Sequence, residues 1–198
     1  MPLRGRDEAD SVEIELIRSL NDAFVPSVIM SAGFAICGAL MVVQARDMTL
    51  AWCLAGGFLA SVLRLTVARH MAKASIRPNL TIARARSLEH GFSLSYATFA
   101  LMLGLFAARC FLLDAPAIHM LATCLIVGYG AGVAAGIGLR PRIAITSMTL
   151  AIMPAIIVAL IRWDGLYVAN ALMMTALLIG GVDSLRRRHG RTIGDIET

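Results

Sequence analysis

Ionisable side chains inside long apolar runs are the residues of this sequence whose chemistry stands out most. Arg64 lies near the end of one apolar run, and Glu89 opens the next one. Charged groups at such positions usually face protein or water rather than lipid. We therefore predict an intramembrane ion pair between Arg64 and Glu89. The alternative interpretation is that the long Arg64 side chain reaches the lipid headgroups.

Two more residues interrupt later apolar runs. Pro154 would free a backbone carbonyl oxygen in a helix, and Asn170 could donate a hydrogen bond to a neighbouring helix. Together they predict a small cavity, with ordinary packing as the alternative. His90 and His119 fall at opposite ends of their runs, so they do not predict a shared metal or haem.

The sequence predicts no catalytic site and no bound cofactor or metal. It contains no Gly-rich phosphate loop, nucleophile elbow, paired carboxylates or zinc-type spacing. All four cysteines lie in or beside apolar runs, without the short spacing of a redox motif. We interpret them as packing residues: Cys37, Cys53, Cys110 and Cys124.

The amino-acid composition indicates whether these residues lie in a soluble or a membrane protein. Apolar residues make up 58% of the 198-residue chain and charged residues only 16%, and the mean hydropathy is +0.76. Such a balance is typical of an integral membrane protein. The net charge of +5 comes from basic residues between the apolar runs rather than on one face, so it does not indicate a nucleic-acid partner.

Six apolar runs each approach the roughly 20 residues that a helix needs to cross a bilayer. The sequence therefore predicts an all-α bundle of six transmembrane helices over residues 23–182. The predicted spans are 23–44, 48–68, 91–113, 115–139, 143–161 and 165–182.

The basic residues also predict the orientation of this bundle. Of the 18 Arg and Lys residues, 14 fall on the side of the two termini. Since basic residues concentrate on the cytoplasmic side, we predict that both termini are cytoplasmic. The link between residues 72 and 89 is then a long basic cytoplasmic loop that contacts anionic lipid headgroups.

The fourth apolar run is rich in small residues that repeat every four positions. In a helix these residues form ridges without side chains, which lets neighbouring helices approach closely. We therefore predict that this run is the central packing helix. The small residues are Gly128, Gly130, Gly132, Ala134, Gly136 and Gly138.

Both flanks of the bundle have helical periodicity. Residues 1–22 predict a short amphipathic cytoplasmic helix. Residues 183–198 predict a helix that leaves the membrane with a coiled-coil-like seam, and we expect it to pair two chains in a homodimer. The seam comprises Leu178, Val182, Leu185, His189, Ile193 and Ile196.

The chain resembles the six-span N-terminal membrane region of bacterial diguanylate cyclases of the GGDEF type, some of which also carry an EAL phosphodiesterase domain. The resemblance extends over most of the sequence. It rests on Arg64-Leu65, on Leu88-Glu89-His90-Gly91, on the run from Val127 to Gly132, on Arg140-Pro141-Arg142 and on Asp183-Ser184-Leu185-Arg186.

This resemblance implies a function. In that family the exit helix leads directly into the cyclase domain, but the present sequence contains no Gly-Gly-Asp-Glu-Phe motif. We therefore expect an input module in the bacterial inner membrane that controls a cytoplasmic GGDEF domain beyond residue 198, in response to lipid, a small hydrophobic ligand or a peptide. The alternatives are a small-solute transporter or channel and a purely structural membrane anchor.

Overall fold

The computed structural model describes residues 24–75, 82–136 and 141–196, and these residues are helical apart from short links. All six helices contain a stretch long and apolar enough to cross a membrane, as a multi-pass membrane protein requires. They are α1 (Phe24–Ala45), α2 (Met48–Ser75), α3 (Ile82–Leu112), α4 (Pro116–Gly136), α5 (Pro141–Ile161) and α6 (Gly165–Ile196). The predicted helix at residues 1–22 lies outside the described part.

Local sequence explains where four of the helices begin. Asp47 Oδ1 accepts a hydrogen bond of 2.7 Å from the backbone N–H of Leu50 and so caps α2. Asp164 caps α6 through the N–H of Leu166 in the same way. Helices α4 and α5 both open on proline, whose missing N–H costs nothing at that position.

Helices α2 and α3 are longer than the membrane spans predicted within them. Helix α2 extends to Ser75 and α3 begins at Ile82, so much of the loop predicted for residues 72–89 is helical. Alanine, arginine and lysine near these ends are good helix formers in water, so the helices need not stop where the apolar runs stop. The predicted turn around Arg140 falls partly on residues that the structure does not describe.

Helix α3 lies at the centre of the bundle and packs against α2, α4 and α5. More than half of its most apolar window is buried inside the protein, the largest share of the six helices. Its Phe99 and Phe106 rings enclose the Phe34 ring of α1 at centroid distances of 5.6 and 5.3 Å. Helix α4 packs against α1, α3, α5 and α6, and its role as the central packing helix stays a prediction.

The closest helix crossing is between α3 and α5. A Cβ atom built on Gly104 of α3 would lie 2.5 Å from the carbonyl oxygen of Leu150 and 3.0 Å from that of Ala151. Only glycine allows the two backbones to approach this closely, which increases their dispersion contacts.

The small residues of α4 do not form a comparable crossing within the chain. A Cβ atom built on Gly128 or Gly132 would meet open space. One built on Gly130 would lie 3.7 Å from the side chains of Met148 and Leu177. Ala134 packs at the edge of the core. Gly136 ends α4, and Gly138 is not among the described residues.

Helix α6 is continuous through residue 183, where the predicted exit segment begins. Within the predicted seam, Leu185 is only 1% exposed and therefore packs against its own chain. Leu178 and Val182 are half-buried. The structure describes no side chain at the remaining seam positions, His189, Ile193 and Ile196, so the dimer seam stays a prediction.

Replacing Gly104 by alanine tests the crossing of α3 and α5. The new methyl group would contact two carbonyl oxygens, and such overpacking costs about 1 to 3 kcal/mol. We expect a lower midpoint of thermal unfolding for the purified protein in detergent. Gly128→Ala is the matched control, because its methyl group meets open space. Equal midpoints for the two variants would contradict the described crossing.

Candidate functional site

Arg64 is a cation buried in the interior of the bundle. It lies on α2 and is only 1% exposed, so it does not extend to the bundle surface as the headgroup interpretation requires. Its Nη2 donates hydrogen bonds to the carbonyl oxygen of Ser27, at 3.0 Å, and to Ser31 Oγ, at 2.8 Å. Arg64 therefore joins α2 to the first turns of α1.

Aromatic rings of α3 cover the guanidinium group of Arg64. Its Cζ lies 4.0 Å from the centroid of the Phe99 ring and 5.0 Å from that of Tyr96. Such cation–π contacts stabilise a cation by about 2 kcal/mol when water is excluded. The Tyr96 hydroxyl also forms a hydrogen bond with Ser27 Oγ. Three helices thus meet at one charged group.

Three buried polar atoms around Arg64 lack a hydrogen-bond partner among the residues described. They are Arg64 Nε, Ser61 Oγ and the Tyr129 hydroxyl oxygen. Ser61 lies one turn before Arg64 on the same face of α2. The Tyr129 ring of α4 is 5.7 Å from Phe99, the ring that covers Arg64. Native proteins rarely leave buried polar atoms unpaired, so this group marks the candidate functional site.

The predicted pairing of Arg64 with Glu89 stays a prediction. Glu89 belongs to α3, but its side chain is outside the described part of the structure. Within that part, no carboxylate forms a salt bridge with Arg64. Glu89 also lies seven residues, or two helical turns, from Tyr96 on α3.

Pro154 and Asn170 have different neighbours in the structure. Pro154 of α5 lies beside Gly104 of α3. Asn170 Nδ2 on α6 donates a hydrogen bond of 3.3 Å to Thr123 Oγ1 on α4. Asn170 therefore links α6 to α4, and the joint cavity with Pro154 stays a prediction.

The links between α1 and α2, α3 and α4, and α5 and α6 lie at one end of the bundle, which we call the outer end after its predicted orientation. There Arg109 of α3 binds both carboxylate oxygens of Asp47, from Nε at 3.2 Å and from Nη2 at 2.5 Å. Arg162 binds Asp114 and donates to the carbonyl oxygens of Phe111 and Leu113. These contacts fasten the links to the helices.

His119 belongs to this outer end and has a partner at each ring nitrogen. Nε2 lies 2.7 Å from the carbonyl oxygen of Leu113, and Nδ1 lies 2.8 Å from the Tyr167 hydroxyl. Because a carbonyl oxygen only accepts, Nε2 carries the hydrogen and Nδ1 accepts from Tyr167. Across the described ranges, no three His, Cys, Asp or Glu residues are grouped to hold a metal ion.

Sequence reasoning found Arg64 but missed the groups around it. Ser27 and Ser31 sit four residues apart on α1, and Tyr96 and Tyr129 are polar residues within apolar runs. Spacing alone could have indicated that the two serines share a helix face. Comparison with protein-family models, with curated proteins and with solved structures gives no match for this chain.

Tyr167→Phe tests the hydrogen bond to His119. The variant leaves Nδ1 without its donor in a side chain that is 7% exposed, at a cost of about 1 kcal/mol. We expect a lower midpoint of thermal unfolding in detergent. Leu166→Ala, at the neighbouring position whose side chain is 82% exposed, should change the midpoint less. The described hydrogen bond is incorrect if the order of the two variants is reversed.

The pair of Arg109 and Asp47 predicts a dependence of stability on pH. Hydrogen bonds from Arg109 lower the pKa of Asp47 in the folded protein. The stabilisation is therefore complete above the unfolded-state pKa of about 4, and it is lost as the pH falls through the lower folded-state pKa. Unfolding midpoints measured below about pH 5 should fall less steeply for Asp47→Asn and for Arg109→Gln than for wild type. Parallel curves for all three proteins would exclude this contribution.

Proposed function

We propose that this chain is a membrane-embedded input module that controls and dimerises a cytoplasmic GGDEF domain in a bacterial cyclic-di-GMP signalling protein. The proposal combines the sequence resemblance with one structural observation, the unbroken helix α6. In this proposal both termini are in the cytoplasm, the membrane is the bacterial inner membrane, and the output domain follows residue 198.

The length of α6 is what supports this function. Its 32 residues span about 48 Å at 1.5 Å per residue, whereas the hydrocarbon core of a bilayer is about 30 Å thick. The helix therefore has roughly a third of its length to extend beyond the membrane. Asp183 and Arg187 form an ion pair one turn apart on this part of α6, which favours a continuous helix there.

An unbroken helix can carry a change of packing to an attached domain. Rotation or translation of α6 inside the bundle moves its far end by a comparable amount, since no flexible link absorbs the motion. Two chains that pair along this extension would bring two cyclase domains together, and the bundle would set their relative position. Helix shifts of this kind are a common way for proteins to switch between states.

The complete gene product, assayed for cyclic-di-GMP synthesis from GTP in bacterial membranes, tests this proposal. Ser184→Pro should interrupt α6 where it leaves the bundle, next to the buried Leu185, and change the rate of synthesis, because proline removes a helical hydrogen bond and clashes with the preceding turn. Ser184→Ala is the matched control and should keep the wild-type rate. The proposal fails if the gene product makes no cyclic-di-GMP or if both variants match wild type.

A small-solute transporter or channel is the second candidate, and the buried Arg64 is the observation that favours it. Ionisable residues inside membrane bundles often mark a pathway for solutes or ions. Uptake of labelled solutes into vesicles that contain the purified chain distinguishes this candidate from the input module, since a module without transport activity gives no uptake above empty vesicles.

A further inference from the structure

We propose that Arg64, Ser61 and Tyr129 bind a small monovalent anion of the size of chloride inside the bundle. This inference goes beyond the function proposed above and does not rest on it. It concerns a site within the six helices, and that site can be tested whether or not an output domain is attached.

The first argument is charge. An arginine side chain keeps its proton in proteins, so Arg64 carries a full positive charge while only 1% of its surface is exposed. The groups that contact it from the described residues are neutral: a carbonyl oxygen, a hydroxyl group and two aromatic rings. Such dipoles reduce the cost of burying the charge but do not neutralise it.

The second argument is that the unpaired atoms are donors. Arg64 Nε–H and the hydroxyl groups of Ser61 and Tyr129 can each donate a hydrogen bond, and none forms one of good geometry with the residues described, although the Ser147 side chain lies beside the Tyr129 hydroxyl. An anion that lay between them would accept from all three. A water molecule could also accept from two of them and donate to a third group, but it would leave the positive charge without a counterion.

The third argument concerns size. Arg64 and Tyr129 are each 1% exposed and Ser61 is 3% exposed, so no large molecule reaches these atoms from the bundle surface. Aromatic rings close one side of the site, since Phe99 touches both the guanidinium group and the Tyr129 ring. A lipid headgroup or a bulky organic acid would have to displace these rings, so the burial favours a small anion.

The test measures the thermal unfolding midpoint of the full chain in detergent while sodium chloride replaces sodium gluconate at constant ionic strength. Ligands that bind only the folded state raise the midpoint. We expect a rise of about 5 °C when chloride is in about hundred-fold excess over its Kd. Arg64→Gln should abolish the rise, and the exposed Arg186→Gln should leave it unchanged.

Two milder variants keep the test decisive if Arg64→Gln does not fold. Tyr129→Phe and Ser61→Ala each remove one donor and retain the charge, so each should weaken the chloride dependence by about tenfold in concentration. Wild-type protein with no chloride dependence would overturn the proposal. So would a rise of equal size in Arg64→Gln, since this would be a general salt effect.

Glu89 provides the last arm of the experiment. If its carboxylate were the counterion of Arg64, wild type would not respond to chloride and Glu89→Gln would acquire a response. That pattern would overturn the proposal and support the ion pair. A response that is already present in wild type and is unchanged in Glu89→Gln supports the anion site.

Discussion

A positive charge held away from water is the constraint around which α1, α2 and α3 are arranged. Each of the three helices contributes a different kind of contact to Arg64. Helix α1 supplies a carbonyl oxygen and a hydroxyl group, α3 supplies two aromatic faces, and α2 supplies the arginine itself. None of these groups is costly to place in a membrane bundle, and together they let a cation remain in its interior. Isolated charges in lipid are otherwise rare because their desolvation is expensive.

The arginines at the outer end of the bundle and the buried Arg64 have different kinds of partner. At the outer end, Arg109 and Arg162 meet the carboxylates Asp47 and Asp114 in partly exposed ion pairs. Pairs of this kind contribute little stability but fix the geometry of short links. Around Arg64 the structure describes no carboxylate, and the rings and hydroxyl groups replace it. Arg109 and Arg162, which water can reach, thus have carboxylate counterions. The described groups that contact the buried Arg64 are neutral.

The sequence was sufficient to predict the six spans because their apolar composition follows directly from the bilayer. It was not sufficient to predict where the helices end, since α2 and α3 extend beyond their apolar runs on ordinary helix-forming residues. The partners of Arg64 were equally hidden. A backbone carbonyl such as that of Ser27 has no signature in a sequence, and the rings of Tyr96 and Phe99 face Arg64 only because of how α3 is rotated. Small-residue spacing occurs in two helices: Gly128 and Gly132 of α4 have open space around them, whereas Gly104 of α3, flanked at four-residue spacing by Ala100 and Ala108, makes the tight contact.

The side chain of Met148 gives the bundle parts of unequal stiffness. It lies between α5 and two glycines, with its Cε at 2.6 Å from the Cβ position of Gly181 on α6 and at 3.7 Å from that of Gly130 on α4. A methionine side chain is flexible and adapts to irregular spaces, whereas the crossing of α3 and α5 brings backbone against backbone. The contact between α3 and α5 is therefore rigid, whereas α6 packs on a flexible side chain. Sliding of α6 along α5 would therefore meet a flexible side chain at Gly181, whereas sliding of α3 along α5 would meet backbone atoms at Gly104.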